Sequence, residues 1–168
     1  MQELKLYIVE GFDKVMKISK LIISKEIREG WPGKIVYGNF IVDGVPLTEF
    51  DEIKDMEFVS CLGWGPVSFQ KEQIKRLLLD AESDFENGRN SIYICPCTDL
   101  GCGAVSLEIK IINDEIIAWD NFCHEENNGI FKRFNKIGPF YFEWKQYKEA
   151  IKETLLLGEP DYWHSDKW

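Results

Sequence analysis

The sequence predicts an α+β fold, a single domain with a mainly antiparallel sheet and about two helices. Three observations carry that prediction. Residues 104–111 alternate: Val105, Leu107, Ile109 and Ile111 fall on one face, and Ser106, Glu108 and Lys110 on the other. That is the period-2 pattern of a half-buried strand. Asn113-Asp114 then offers a turn, and 115–122 return as the hairpin partner. Two stretches carry a helical stripe: Ile74, Leu77, Leu78 and Ala81 at i, i+3, i+4 and i+7, and Trp144, Tyr147, Ile151 and Leu155 at steps of 3, 4 and 4.

The elements follow in order. Leu4, Leu6 and Ile8 alternate with Lys5 and Tyr7 and suit a strand. Residues 14–23 mix alternation with an apolar run, so strand and helix compete there. Residues 35–42 are rich in β-branched and aromatic side chains, and Asp43-Gly44 turns the chain into Val45-Pro46-Leu47. A short strand fits 58–62, closed by Gly63-Trp64-Gly65-Pro66. The first helix is expected over 70–83 with Ser68 as its N-cap. After Asn87-Gly88 a strand runs over 91–95, followed by a tight loop at 98–101. Residues 124–136 read as a polar loop, 138–142 as a short strand, and 143–157 as the second helix, with Gly158 and Pro160 ending it.

The 168 residues carry a net charge of −9, and the charge is uneven. Residues 1–38 hold 7 basic and 5 acidic groups, while 39–168 hold 13 basic and 24 acidic, a net of −11. The acids gather in three stretches. Residues 43–57 carry Asp43, Glu49, Asp51, Glu52, Asp55 and Glu57 against Lys54; residues 80–86 carry Asp80, Glu82, Asp84 and Glu86; residues 114–126 carry Asp114, Glu115, Asp120, Glu125 and Glu126. Such a balance argues against nucleic acid, whose phosphates reward Lys and Arg, and against anionic membranes. It suits a basic protein partner. Trp31, Tyr162, Trp163 and Trp168 sit near turns or the terminus and are available as aromatic anchors. Met1–Glu10 has an early acid and no small-residue cleavage site, and no run of apolar residues has spanning length. The expected location is the cytoplasm, where the five cysteines stay reduced.

Three of those cysteines crowd into Cys95-Pro96-Cys97-Thr98-Asp99-Leu100-Gly101-Cys102. With Cys123 or His124 as a fourth ligand they match the donor set of a zinc site. The usual knuckle is Cys-x-x-Cys around a turn, whereas Cys95 and Cys97 stand two apart on an expected strand. That spacing favours cysteines packed as small hydrophobes in the core. No catalytic constellation stands out. Cys123 and His124 are adjacent and face opposite sides of a strand, His164 lies in the tail, and Gly63-Trp64-Gly65 lacks the Lys and helix start of a phosphate loop.

The run Tyr93-Ile-Cys-Pro-Cys-Thr-Asp-Leu-Gly-Cys-Gly-Ala104, then Trp119-Asp120-Asn121-Phe122, then Gly138-Pro139-Phe140-Tyr141-Phe142 before Tyr147, resembles a family of small uncharacterised bacterial proteins. Their pattern is Cys-Pro-x-Cys-Gly-Asp-Leu-Gly-Cys-Gly-Ala, then Trp, then Gly-Pro-Phe. The likeness covers residues 60–157 and implies a shared fold unit without an activity; this chain shortens the first cysteine pair. In size and charge the chain is also similar to the immunity proteins of bacterial toxin systems, including contact-dependent growth inhibition. That resemblance implies a non-enzymatic protein that binds and occludes a basic toxin domain, a nuclease with RNase favoured, without a cofactor. The residues expected at such an interface are Asp80, Glu82, Asp84, Glu86, Asp120, Glu125, Glu126 and Trp163. The alternative is a zinc-binding protein or small metalloenzyme using Cys95, Cys97, Cys102 and Cys123.

Overall fold

A computed structural model describes residues 6–8, 15–127 and 129–158. It has the expected α+β architecture: eleven strands and two α-helices among the described residues. The strands are β1 (Leu6–Ile8), β2 (Val15–Ser19), β3 (Leu21–Arg28), β4 (Ile35–Val42), β5 (Val45–Pro46), β6 (Val59–Ser60), β7 (Asn90–Ile94), β8 (Ala104–Ile111), β9 (Ile116–Glu126), β10 (Gly129–Arg133) and β11 (Phe140–Glu143). Helix α1 spans Val67–Leu77 and α2 spans Trp144–Lys152.

Eight strands form one sheet in the order β1-β2-β11-β9-β8-β7-β6, with β10 on the far end of β9. Every pair in it is antiparallel except β11 with β2. A second sheet holds β3, β4 and β5. The two sheets meet where Gly38 N–H donates to the Leu62 carbonyl at 2.9 Å. Only glycine fits at position 38, because a Cβ there would stand 2.6 Å from Ile23 Cγ2.

The expected hairpin of 104–122 forms. Val105 and Leu107 are fully buried and Ile109 packs against the core, but the alternation is incomplete: Ser106 is buried as well, and Ile111 is exposed. Trp119 is the hub of that core. Its ring meets Phe40, Phe142 and Tyr147 edge-on at 5.3, 5.4 and 5.9 Å, the geometry that aromatic quadrupoles prefer. Trp119 Nε1–H donates to Tyr147 Oη at 3.2 Å, and that hydroxyl donates to the Leu77 carbonyl at 2.6 Å. The buried polar atoms of the two rings are thereby satisfied, and α2 is tied to the end of α1.

Over residues 15–23 strand prevails over helix, as two strands broken at Lys20, and β3 continues to Arg28. Three expectations need correction. Helix α1 starts at Val67 behind Pro66, which holds the N-cap position in place of Ser68. It ends at Leu77, six residues early. Leu79 takes φ 61°, Leu79 N–H bonds the Arg76 carbonyl and Asp80 N–H bonds the Lys75 carbonyl. That is a Schellman stop built on leucine, and it leaves the repelling acids 80–86 outside the helix. Its inward face is Gln70, Gln73 and Leu77, with Gln70 donating to the Gly65 carbonyl and accepting from Leu156 N–H. The expected loop at 124–136 is instead a hairpin: β9 runs on to Glu126, and β10 pairs Gly129 with Glu126. Asn127, at φ 45°, supplies the left-handed turn residue that such a hairpin requires. Helix α2 is shorter than 143–157; the chain leaves it at Lys152 and anchors through Gly158 N–H to the Gly63 carbonyl at 3.0 Å.

Candidate functional site

The three clustered cysteines lie at the end of the sheet where β7 gives way to β8. Strand β7 stops at Ile94, so Cys95 and Cys97 sit in a turn and not on the extended strand that the sequence suggested. Thr98 N–H donates to the Cys95 carbonyl at 2.9 Å, with Thr98 at φ 68°. Cys102 N–H donates to the Asp99 carbonyl at 3.1 Å, and Cys95 N–H to the Gly103 carbonyl at 3.1 Å. Asp99 Oδ1 accepts Gly101 N–H at 2.8 Å. Gly103, at φ 150°, has Phe58 packed where a Cβ would stand, 2.8 Å from its ring edge.

This fold-back brings the sulfurs of Cys95, Cys97 and Cys102 within 4.8 Å of one another, and the three can hold a metal ion. Cys95 and Cys97 Sγ are 3.1 Å apart. Cys102 is exposed and the other two half-buried. Burial, reinforced by the neighbouring Cys95 thiol, pushes the Cys97 thiol above its ordinary value. Cys97 is therefore a thiol at neutral pH until a cation displaces its proton.

Cys123 does not join them. It is buried opposite Ser106 on β9, its Sγ 3.5 Å from the Asn121 carbonyl and 3.8 Å from Arg133 Nη1. Burial pushes its thiol up against the opposing pull of Arg89 and Arg133. The core packing expected of the cysteines holds for Cys123 and Cys61 alone. His124 stands edge-on to Phe58 and Phe131, at 6.0 and 5.3 Å. Its Nε2 lies 3.2 Å from Glu126 Oε1, within ion-pair distance but without hydrogen-bond alignment.

The thiol loop also walls an acidic cleft of about 720 Å³. Asp84 and Glu86 line it from the segment before β7, Leu100 and Gly101 from the loop, and Glu125 and Glu126 from the end of β9. Asn127 N–H, bonded to the Gly101 carbonyl at 3.0 Å, joins loop to hairpin. Four of the eight residues expected at an interface thus converge from two distant stretches. Asp80 and Glu82 are exposed but do not line the cleft; Asp120 lies further along β9, paired with Lys110 at 3.3 Å. Trp163, Tyr162, Trp168 and His164 fall outside the described residues. The acids of 43–57 are elsewhere and partly committed: Asp43 to Ser19 and Lys17, Asp51 to Lys54, Glu52 to Lys136 N–H.

Sequence reasoning missed Arg89, the buried cation beside the cleft residue Glu125. Its guanidinium is buried at 3% exposure. Nε donates to Ser106 Oγ at 2.9 Å, and Nη2 donates to the carbonyls of Ser106, at 3.1 Å, and Asn121. Glu125, 2% exposed, accepts from Asn87 Nδ2 at 2.8 Å through Oε1, while Oε2 has only the ionic contact with Arg89 Nε at 3.7 Å. Asp84 is likewise engaged, accepting from both the N–H and the hydroxyl of Ser91. Glu86 and Glu126 are the acids left most available to a partner.

Among the described residues no helix is long and apolar enough to cross a membrane. Comparison with protein-family models, with curated proteins and with solved structures finds no match.

Proposed function

We propose that the protein is a cytoplasmic immunity protein whose acidic cleft binds and occludes a basic toxin domain, a nuclease and specifically an RNase. The observation that carries this reading is the convergence of Asp84, Glu86, Glu125 and Glu126 on one cleft. Carboxylates arranged along a concavity stand in for the phosphates that an RNase cleft recognises, and they speed encounter with a cationic surface. Exposed Phe131 on β10, beside the hairpin end of the cleft, adds an apolar contact.

The test looks beside this gene for a large secreted protein with a C-terminal nuclease domain and measures whether the protein inhibits RNA cleavage by that domain. Stoichiometric inhibition that weakens as salt rises supports the reading. Uninhibited cleavage, or binding indifferent to salt, refutes it.

A second reading, a zinc-binding protein, is favoured by the thiol triangle. Tetrahedral zinc at a Zn–S distance of about 2.3 Å sets its sulfurs about 3.8 Å apart. The observed sulfur separations, from 3.1 Å between Cys95 and Cys97 to a limit of 4.8 Å, bracket that value. Elemental analysis of protein purified without added metal tests it: near one equivalent of zinc supports the site, and less than about a tenth excludes it.

A further inference from the structure

We infer that His124 Nε2 is the fourth ligand of a metal held by Cys95, Cys97 and Cys102, which makes the centre a closed three-cysteine, one-histidine zinc site that ties the thiol loop to β9. The inference rests on the zinc-binding reading above and deepens it by naming the donor that completes the site. Two observations carry it. His124 Nε2 is buried and has no hydrogen-bond partner. It also lies against the loop: a Cβ at Gly103, the residue after Cys102, would stand 3.5 Å from it. The Gly103 carbonyl in turn accepts Cys95 N–H at 3.1 Å. One glycine thus stands between the imidazole and the cysteines on either side of it in the fold. Leaving a buried nitrogen unpaired is costly, and coordination to a metal removes that cost.

Packing aims the ring, since Phe58 and Phe131 meet it edge-on. Nε2 is not within 4.8 Å of all three sulfurs. Tetrahedral zinc sets nitrogen and sulfur about 3.5 Å apart, so loop and ring draw together on binding. The parts that must yield are exposed. Cys102 is at the surface. Glu126, whose Oε1 lies 3.2 Å from Nε2, has a side chain 36% exposed against 14% for His124, so the carboxylate turns away and the imidazole stays.

Charge and softness select His124 over its neighbours. Zinc with three thiolates carries one negative charge. A carboxylate from Glu126 would add a second beside Glu125, whereas a neutral imidazole adds none and suits zinc's borderline softness. Cys123 is opposite Ser106, with its Sγ at the Asn121 carbonyl.

The experiment labels the histidines of the full-length protein with nitrogen-15 and loads it with cadmium-113 in place of zinc, the thiols kept reduced by a phosphine. The chain has two histidines, and His164→Gln assigns their signals. One-bond cadmium–nitrogen coupling is expected at His124 Nε2, with both nitrogens of His164 uncoupled. Zinc affinity, read by competition with a chelator, is expected to fall at least about tenfold in His124→Gln and to stay within about twofold in Glu126→Gln and Cys123→Ser. The inference falls if cadmium binds and His124 is uncoupled, or if the coupling is to His164. It falls equally if His124→Gln binds zinc as tightly as the unmutated protein, or if Glu126→Gln or Cys123→Ser weakens binding as much as His124→Gln does. The coupling is read on the unmutated chain, so it decides even where a variant fails to fold. Failure of the unmutated protein to bind either metal defeats the zinc-binding reading itself.

Discussion

Strand β9 runs through two chemically opposite regions. At Trp119 it lies in a closed aromatic core where every polar atom of the ring cluster has a partner. Some six residues on, at His124, Glu125 and Glu126, the same strand borders an open cleft in which Glu125 Oε2 lacks a hydrogen bond. The first region is built for stability. The second keeps buried charge and reachable thiols that a purely structural end of a sheet has no need for. The contrast separates substitutions that unfold the protein from those that disable it.

Trp119→Ala is expected to have the largest effect on stability, a loss of about 3–5 kcal/mol, because it empties the centre of the core and removes the donor to the buried Tyr147 hydroxyl. Chemical denaturation measures it. A loss below about 1 kcal/mol would mean that Trp119 is not the hub.

Arg89→Met is expected to cost about 3 kcal/mol, since it leaves the buried Glu125 carboxylate without its counter-charge. The double variant Arg89→Met/Glu125→Gln should recover part of that loss. Without recovery, the arginine acts through its bonds to Ser106 and Asn121 and not through the ion pair.

Asp43→Asn gives a smaller effect, about 1 kcal/mol, away from the cleft. Burial pushes the Asp43 carboxyl upward, but the Lys20 N–H, the Ser19 hydroxyl and Lys17 together hold it below its ordinary value. A carboxyl depressed in the folded state stabilises above its unfolded value, near pH 4, and that stability disappears as pH falls through the folded value. The difference between the natural protein and Asp43→Asn should therefore be full at pH 7 and shrink below pH 4. A difference that is constant with pH contradicts the assignment.

How much of this was legible in the sequence follows the same division. Around Trp119 the alternation of 104–111 and the aromatic spacing of 144–151 point at the core directly, because burial imposes a period on apolar residues. At the other end the signals are non-periodic. Strand β10 is mostly exposed and polar, so its residues read as loop. Helix α1 stops on a leucine in a left-handed conformation, with no glycine to announce it. The thiols converge because β7 ends at Ile94 and Cys95 enters a turn, a boundary one residue away from the strand end that the pattern suggested. The four cleft acids were visible as clusters, but their meeting depends on the β7–β8–β9 register. Arg89 was hidden because a single cation after an Asn-Gly turn looks like any surface residue.

The most direct measurement compares two acidic regions of equal sign. Glu86→Lys/Glu126→Lys reverses charge in the cleft, and Glu49→Lys/Asp55→Lys does so in the 43–57 stretch; the net charge change is the same. Inhibition of a nuclease domain that the natural protein blocks is read by titration against each folded variant. The cleft pair is expected to weaken inhibition at least about tenfold, a loss of roughly 1.4 kcal/mol, while the second pair leaves it within about twofold. Equal losses from both pairs would contradict a cleft-borne interface, because net charge and not the cleft would then be what the partner senses.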